Sequence, residues 1–124
     1  MDAADDGTTV DRSTDGSDRD TVASYYASID DHDYGRLSSL LASSFVHYRP
    51  DRTLDGREVF VRFMREERPM TETTHEIGAV YPNGHGVAVQ GRLLDAAGEK
   101  LFAFVDVFSV DDEGRIETLY TYTR

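Results

Sequence analysis

Apolar and polar residues alternate most clearly between Lys100 and Val110, near the carboxyl end of the chain. At the two-residue period of a strand, Phe102, Phe104, Asp106, Phe108 and Val110 share one face, and Leu101, Ala103, Val105, Val107 and Ser109 share the other. Both faces are apolar, and the few helices of a short chain can cover only one of them. The second face therefore predicts contact with another subunit.

Asp106 is the single carboxylate among the phenylalanines of this strand. Burial in apolar surroundings disfavours the charged form of a carboxyl group, so such a group either finds a donor or stays protonated and becomes a donor itself. Two interpretations follow: Asp106 is a functional acid, or it pairs with an arginine or caps a backbone bend.

The remaining pattern predicts helices first and strands afterwards. Apolar residues at helical spacing predict a first helix that starts at Asp20, a short second helix from Tyr34, and a third helix that starts after Asp55 as N-cap and is stopped by Pro69. A strand over 45–48 lies between the second and third helices, and strands over 73–81, 87–94, 100–110 and 115–122 follow. This order predicts an α+β domain over residues 20–124. Residues 1–19 have one sizeable apolar residue, Val10, and are predicted to form a disordered acidic tail.

Composition excludes several classes of partner and site. The formal net charge is -11, and Lys100 is the only lysine, which argues against nucleic acid or an anionic membrane as partner. The surplus of aspartate over lysine resembles the surface of proteins from salt-in halophiles. The chain has no cysteine, and its four histidines show no ligand spacing, so no metal or other cofactor is predicted. No apolar run approaches membrane-spanning length and no signal pattern opens the chain, so a cytoplasmic protein is expected.

The order of elements over residues 20–124 resembles the nuclear transport factor 2 (NTF2)-like superfamily, which includes SnoaL-like polyketide cyclases, ketosteroid isomerases and scytalone dehydratases. The resemblance implies an NTF2-like (cystatin-like) cone, in which three N-terminal helices pack on a curved, mainly antiparallel sheet. The helices and the inner sheet face would enclose an apolar pocket, and the outer face would form a homodimer. The fold hosts enzymes and binding modules alike, so it does not assign an activity.

Some residues resemble ketosteroid isomerases. The run from Val105 to Val110 that leads to Glu113-Gly114-Arg115-Ile116 is similar to the strand that carries the family's protonated oxyanion-hole aspartate, which lands on Asp106. The oxyanion tyrosine lands on Tyr25 and the pocket phenylalanine on Phe63. The family's general base would precede a proline on the first strand, but Arg49-Pro50 stands there, which argues against steroid isomerisation.

Other residues resemble scytalone dehydratases. The segment Thr74-His75-Glu76-Ile77-Gly78 is similar to that family's catalytic-histidine segment, Val46-His47-Tyr48-Arg49 is similar to the strand with its water-positioning tyrosine, and Asp30 matches the acid that ends its first helix. The family's first-helix tyrosine falls on Ile29. Tyr48 and Arg49 are adjacent on a strand and point to opposite faces, so only one of them is expected to line the pocket, and His47 competes with Tyr48 for the inner face.

Together these residues and resemblances predict a pocket with Asp106, Tyr25 and His75 as catalytic candidates. Tyr25 is expected to hydrogen-bond to Asp106, and His75 is either a proton-transfer group or a half-buried structural histidine. Arg49 would bind an anionic group or neutralise Asp106. The remaining candidates for substrate binding are Tyr48, Phe63, Val89, Gly91, Phe104 and Phe108.

Three functions fit this sequence. The first is an isomerase, dehydratase or cyclase that acts without a cofactor, by acid–base chemistry, on a small apolar carbonyl compound. The second is a non-catalytic homodimer that binds a small molecule or partner protein in the same pocket. The third is a purely structural dimer whose cavity is filled by Phe63, Phe104 and Phe108.

Overall fold

Six strands form one sheet in the computed structural model, which describes residues 17–84 and 86–124. The strands are β1 (Leu41–Tyr48), β2 (Thr53–Asp55), β3 (Thr74–Asn83), β4 (Gly86–Leu94), β5 (Lys100–Val110) and β6 (Ile116–Thr123). Their order in the sheet is β2-β1-β6-β5-β4-β3. The β1–β6 pair is parallel, and every other pair is antiparallel. The predicted mainly antiparallel sheet is therefore confirmed.

The described helices are α1 (Ser17–Asp30), α2 (Tyr34–Ser39) and α3 (Arg57–Arg62), and a π-helical segment (Phe63–Glu67) continues α3. The buried stripe of α1 consists of Val22, Tyr25, Tyr26 and Ile29, which recur at helical spacing. Asp33 caps α2 by accepting a hydrogen bond from the backbone N–H of Arg36. None of the described helices is both long enough and apolar enough to span a bilayer.

One face of the sheet packs on the helices and forms the core. Phe45, Val89, Phe108 and Leu119 come from four different strands, and each is fully buried. Phe60 of α3 packs edge-to-face on Phe45, with 4.9 Å between the ring centroids. The burial pattern of β5 follows the predicted alternation, because Phe104, Asp106 and Phe108 are buried while Val105 and Val107 are exposed.

Several predicted boundaries differ from the structure. The described part of the first helix already includes Ser17, three residues before the predicted start at Asp20, and the side chain of Asp18 is buried within it. The predicted Asp55 cap is wrong: Asp55 belongs to β2, and the N-cap of α3 is Gly56, with φ of 112° and no side-chain cap bond. Pro82 and Asn83 extend β3 beyond its predicted end at residue 81. Residues 17–19 of the predicted acidic tail belong to α1, and residues 1–16 lie outside the described residues.

Candidate functional site

A cavity of about 210 Å³ lies between the helices and the inner face of the sheet. Its lining is mainly apolar and includes Ile29, Met64, Leu93, Phe102 and Phe104. The polar and ionisable side chains of its lining are Tyr25, His47, Arg49, Arg68, Thr73, His75, Asp106, Thr121 and Thr123. An apolar enclosure with a few converging polar groups is typical of small-molecule sites.

Asp106 accepts a hydrogen bond on each carboxyl oxygen. The Tyr26 hydroxyl donates to Oδ2 at 2.6 Å, and the Thr121 hydroxyl donates to Oδ1 at 2.6 Å. Burial raises the pKa of Asp106, and the hydroxyl groups of Thr121 and Tyr26 act against that rise. The expected Tyr25–Asp106 bond is wrong, because the neighbouring tyrosine of α1 makes it.

His47 extends this network towards β1. Its Nε2 lies 2.8 Å from Thr121 Oγ1, and its Nδ1 is buried without a hydrogen-bond partner among the described residues. Because the Thr121 proton goes to Asp106, Nε2 carries the histidine proton and donates to Thr121. That tautomer leaves a bare acceptor at Nδ1, which costs less than an orphaned buried N–H. Burial, aided by the charge of Arg49, lowers the pKa of His47 to about 3.

Tyr25 lines the cavity, although it is only 3 % exposed. Its ring packs edge-to-face on Tyr26 and on Phe108, each with 5.2 Å between centroids. Its hydroxyl has no hydrogen-bond partner in residues 17–84 and 86–124. Burial, together with the nearby Asp106, raises the pKa of Tyr25, so this hydroxyl keeps its proton and remains a donor.

His75 and Asp30 form a second polar pair at the cavity. His75 Nδ1 lies 2.7 Å from Asp30 Oδ1, and the His75 backbone N–H donates to Asp30 Oδ2 at 3.0 Å. An ionised Asp30 accepts hydrogen bonds only, so Nδ1 carries the proton and Nε2 presents a lone pair. The His75 ring lies against Tyr26, with 5.0 Å between centroids, which places this pair beside the Asp106 network.

Arg49 and Arg68 bring positive charge to the lining. Arg49 Nε lies 3.2 Å from Asp51 Oδ1, so Arg49 pairs with Asp51 and not with Asp106. The predicted alternative of a buried Arg49–Asp106 pair is therefore wrong. Within the described residues, no group of three or more histidines and carboxylates is arranged to hold a metal ion.

A family model described as a SnoaL-like domain matches residues 22–118. The chain belongs to the SnoaL-like domain family. No curated protein matches its sequence.

Solved structures share the fold of this SnoaL-like domain. A SnoaL-like protein of unknown function from Burkholderia thailandensis has 19 % identity and a TM-score of 0.75, with 90 % of this chain and 98 % of that chain covered. An LEH-like epoxide hydrolase from M. tuberculosis has 18 % identity and a TM-score of 0.75, with 87 % and 83 % covered. A proposed ketosteroid isomerase from Kribbella flavida has 19 % identity and a TM-score of 0.72, with 87 % and 78 % covered. Because their sequence identity to this chain is low, these structures show that the NTF2-like fold is shared and nothing more.

The cavity of this SnoaL-like domain brings together five of the ten predicted site residues: Tyr25, Arg49, His75, Phe104 and Asp106. Tyr48 does not line it, because it lies on the outer face, where it stacks on Tyr120 at 4.5 Å. Phe63, Val89 and Phe108 are core residues outside the lining. Arg49 rather than Tyr48 faces inward, which resolves the alternative left open by their adjacency.

Gly91 also lies outside the lining. A Cβ at this position would be 2.6 Å from the Glu76 carbonyl oxygen and 2.8 Å from the Phe104 ring. Glycine therefore allows a close approach of strand and ring here and does not leave room in the cavity.

The polar residues of the site that were not among the predicted site residues are Tyr26, Asp30, His47, Arg68, Thr73, Thr121 and Thr123. His47 and Tyr48 were alternatives for the inner face of this strand, and the structure buries His47. Thr121 alternates with two tyrosines, and no local pattern shows which face of β6 is buried. Tyr26 shares the buried stripe of α1 with Tyr25, so helical periodicity does not separate their roles.

Proposed function

We propose that this SnoaL-like domain is an acid–base enzyme of the isomerase, cyclase or dehydratase type that acts without a cofactor on a small carbonyl compound with an apolar body. The observation that carries the proposal is that the His75–Asp30 pair, the Tyr25 hydroxyl and the Asp106 carboxyl converge on one mainly apolar cavity. Proton-transfer groups and a free donor in a shared apolar enclosure are the parts that such chemistry needs.

His75 is the proposed base. Its Nε2 lone pair takes a proton from the carbon next to the substrate carbonyl, and Asp30 stabilises the resulting imidazolium through Nδ1–H. Asp30 is thus a positioning residue. The proton then returns to a different atom of the substrate, which gives isomerisation, or to a departing hydroxyl, which gives dehydration.

Tyr25 is the proposed donor to the carbonyl oxygen. Negative charge develops on that oxygen when the neighbouring carbon loses its proton, and a preorganised O–H donor stabilises it. Asp106, whose pKa burial raises, is the second group that exchanges a proton with the substrate. Tyr26 and Thr121 hold its carboxyl group in place.

A non-catalytic binding module is the second candidate. It is favoured by Arg49, which lines the cavity next to Pro50 at the position where the isomerase resemblance expects a carboxylate base. A binding module would hold the same ligands without turning them over.

The outer face of the sheet is the proposed homodimer interface. Its exposed apolar residues are Tyr48, Val105, Val107, Tyr120 and Tyr122. Such a contiguous apolar face on neighbouring strands fits a second copy of the same face.

The enzyme proposal is tested with 5-nitrobenzisoxazole, an apolar probe whose ring opens when a base removes one proton from carbon and releases a coloured phenolate. We expect wild-type protein to accelerate the opening and His75→Asn to lose about 100-fold of the rate, the range of a positioned base. His32→Asn is the matched control, because His32 is exposed and contacts the Thr71 carbonyl away from the cavity. Binding without acceleration in the wild type would favour the binding module, and full activity in His75→Asn would overturn the role of His75 as the base.

A further inference from the structure

The lining of the cavity has a charge balance opposite to that of the whole chain. The chain carries 24 aspartates and glutamates against 13 lysines and arginines. The lining contains two guanidinium groups, Arg49 and Arg68, and one carboxyl group, Asp106. The charged side chains of the lining therefore carry a net positive charge inside an acidic protein.

Arg49 is held in place by two contacts that leave N–H donors of its guanidinium group free. Its guanidinium lies over the Phe63 ring, 5.1 Å from the centroid, and Nε bonds to Asp51. The two terminal nitrogens have no partner among the residues that the structure describes. Its side chain is 29 % exposed, so most of it is removed from water.

Arg68 is fixed even more firmly. Its Nε donates to the Met64 carbonyl at 2.7 Å, and Nη2 donates to the Tyr34 hydroxyl at 3.0 Å. Within 17–84 and 86–124, no carboxylate pairs with it, and Nη1 is without a partner. A guanidinium that is positioned by neutral groups keeps its full charge for a ligand.

Thr73 adds an unused hydroxyl to the same lining. The residue is 7 % exposed, and Oγ1 is buried without a hydrogen-bond partner in the described part of the chain. A buried hydroxyl without a partner is costly, and a ligand acceptor would satisfy it.

Arg49 and Arg68 line the same cavity as Tyr25. Each of them acts on the Tyr25 phenol in the direction that lowers its pKa, against the larger effect of burial. By their place in the lining, Arg49 and Arg68 face the same space as the proposed carbonyl donor.

We propose that the natural ligand of this cavity is a small organic acid, an apolar body with one anionic group that Arg49 and Arg68 bind and that the Thr73 hydroxyl contacts. The inference rests on the proposed function insofar as it assigns the same cavity to the substrate. It narrows the substrate to a carbonyl compound that also carries a carboxylate. Guanidinium groups pair with carboxylates through two parallel hydrogen bonds, and each site arginine has free N–H groups to supply.

The test compares two probes that differ only in charge, 3-oxocyclohexanecarboxylate and its carboxamide. Their dissociation constants are measured by protein NMR shifts for the wild type and for Arg49→Gln, Arg68→Gln and Thr73→Val. We expect the wild type to prefer the carboxylate by about tenfold, equivalent to ~1.4 kcal/mol, and each arginine variant to lose most of that preference. Thr73→Val removes the hydroxyl with little change of shape, and we expect it to weaken carboxylate binding by a smaller factor.

Arg52→Gln is the matched control. Arg52 lies over the same Phe63 ring at 4.9 Å and pairs with the same Asp51, but it does not line the cavity. We expect it to keep the preference, and Arg68→Lys, which keeps the charge, to retain part of it. Equal affinity for the two probes in the wild type, or an equal loss in Arg52→Gln and Arg49→Gln, would overturn the inference. Because 5-nitrobenzisoxazole is neutral, its ring opening tests the enzyme proposal separately from this charge preference.

Discussion

The two faces of β5 have similar apolar sequences but different surroundings. Phe104, Asp106 and Phe108 are at most 6 % exposed, whereas Val105 and Val107 are 40 % and 39 % exposed. The helices cover the first face and exclude water there, so a carboxyl group on it has a raised pKa and bonds to hydroxyl groups. The comparison shows that chemistry in this domain depends on which face the helices cover.

Tyrosines on the inner and outer sides of the sheet also differ in their surroundings. The Tyr26 hydroxyl on the inner side donates to a buried carboxylate, whereas Tyr120 on the outer side is 41 % exposed and stacks on Tyr48. An identical side chain is therefore a structural donor in one place and an apolar surface in the other.

The largest expected difference between the faces comes from neighbouring residues of β5. Phe108→Ala should lower the free energy of unfolding by ~3–5 kcal/mol, because it empties a fully buried aromatic site. Val107→Asp should instead leave each subunit folded and separate the proposed homodimer, because it places a charge on the outer face. Urea denaturation measures the first effect and sedimentation velocity the second. A wild-type protein that is monomeric at all concentrations would contradict the proposed homodimer interface on the outer face.

A smaller effect should come from the pH dependence of stability, to which the buried His47 of the inner face contributes. As pH falls through the usual histidine value of 6.5, the unfolded chain binds a proton at His47, but the folded chain does not until about pH 3. Stability from the neutral His47 is therefore complete above 6.5 and is lost as pH decreases, by up to ~1.4 kcal/mol per pH unit.

This dependence is measured by urea denaturation near pH 7 and near pH 5. Between these two pH values, the free energy of unfolding of His47→Gln should fall by ~2 kcal/mol less than that of the wild type. The opposite contribution of Asp106, whose raised pKa favours the folded state as pH falls, is present in both proteins and cancels. His32→Asn, which removes an exposed histidine, should keep the wild-type slope. Identical slopes for His47→Gln and the wild type would contradict the lowered pKa.

The smallest expected effect is the loss of one hydroxyl. Tyr26→Phe should lower the free energy of unfolding by about 1.5 kcal/mol, because it leaves a buried carboxyl oxygen without its donor. It should also raise the pKa of Asp106 further, since the Tyr26 hydroxyl holds that pKa down. A carboxyl-carbon NMR titration of Asp106 measures the shift. Tyr120→Phe, the control on the outer face, should change the free energy of unfolding by less than ~0.5 kcal/mol. Equal effects of the two variants would contradict the difference between the two faces.

Much of the fold was predictable from local patterns. The two-residue alternation of β5 correctly placed Asp106 among buried aromatic residues, because side chains of a strand must alternate between its faces. The order of helices and strands predicted an NTF2-like arrangement, and the SnoaL-like family match agrees with it. Helix ends were less certain: the backbone at Gly56 rather than an aspartate side chain starts α3.

The sequence by itself determined which residues of β5 share a face and which stripe of α1 is buried, because both follow from periods of 2 and 3.6 residues. Tertiary structure alone decided that Tyr26 rather than Tyr25 meets Asp106, since both tyrosines belong to the same stripe and the rotation of α1 against the sheet selects between them. It also decided that Asp30 and His75, 45 residues apart, share a hydrogen bond. Partners so distant in the chain are set by strand register and helix packing, which no local pattern encodes.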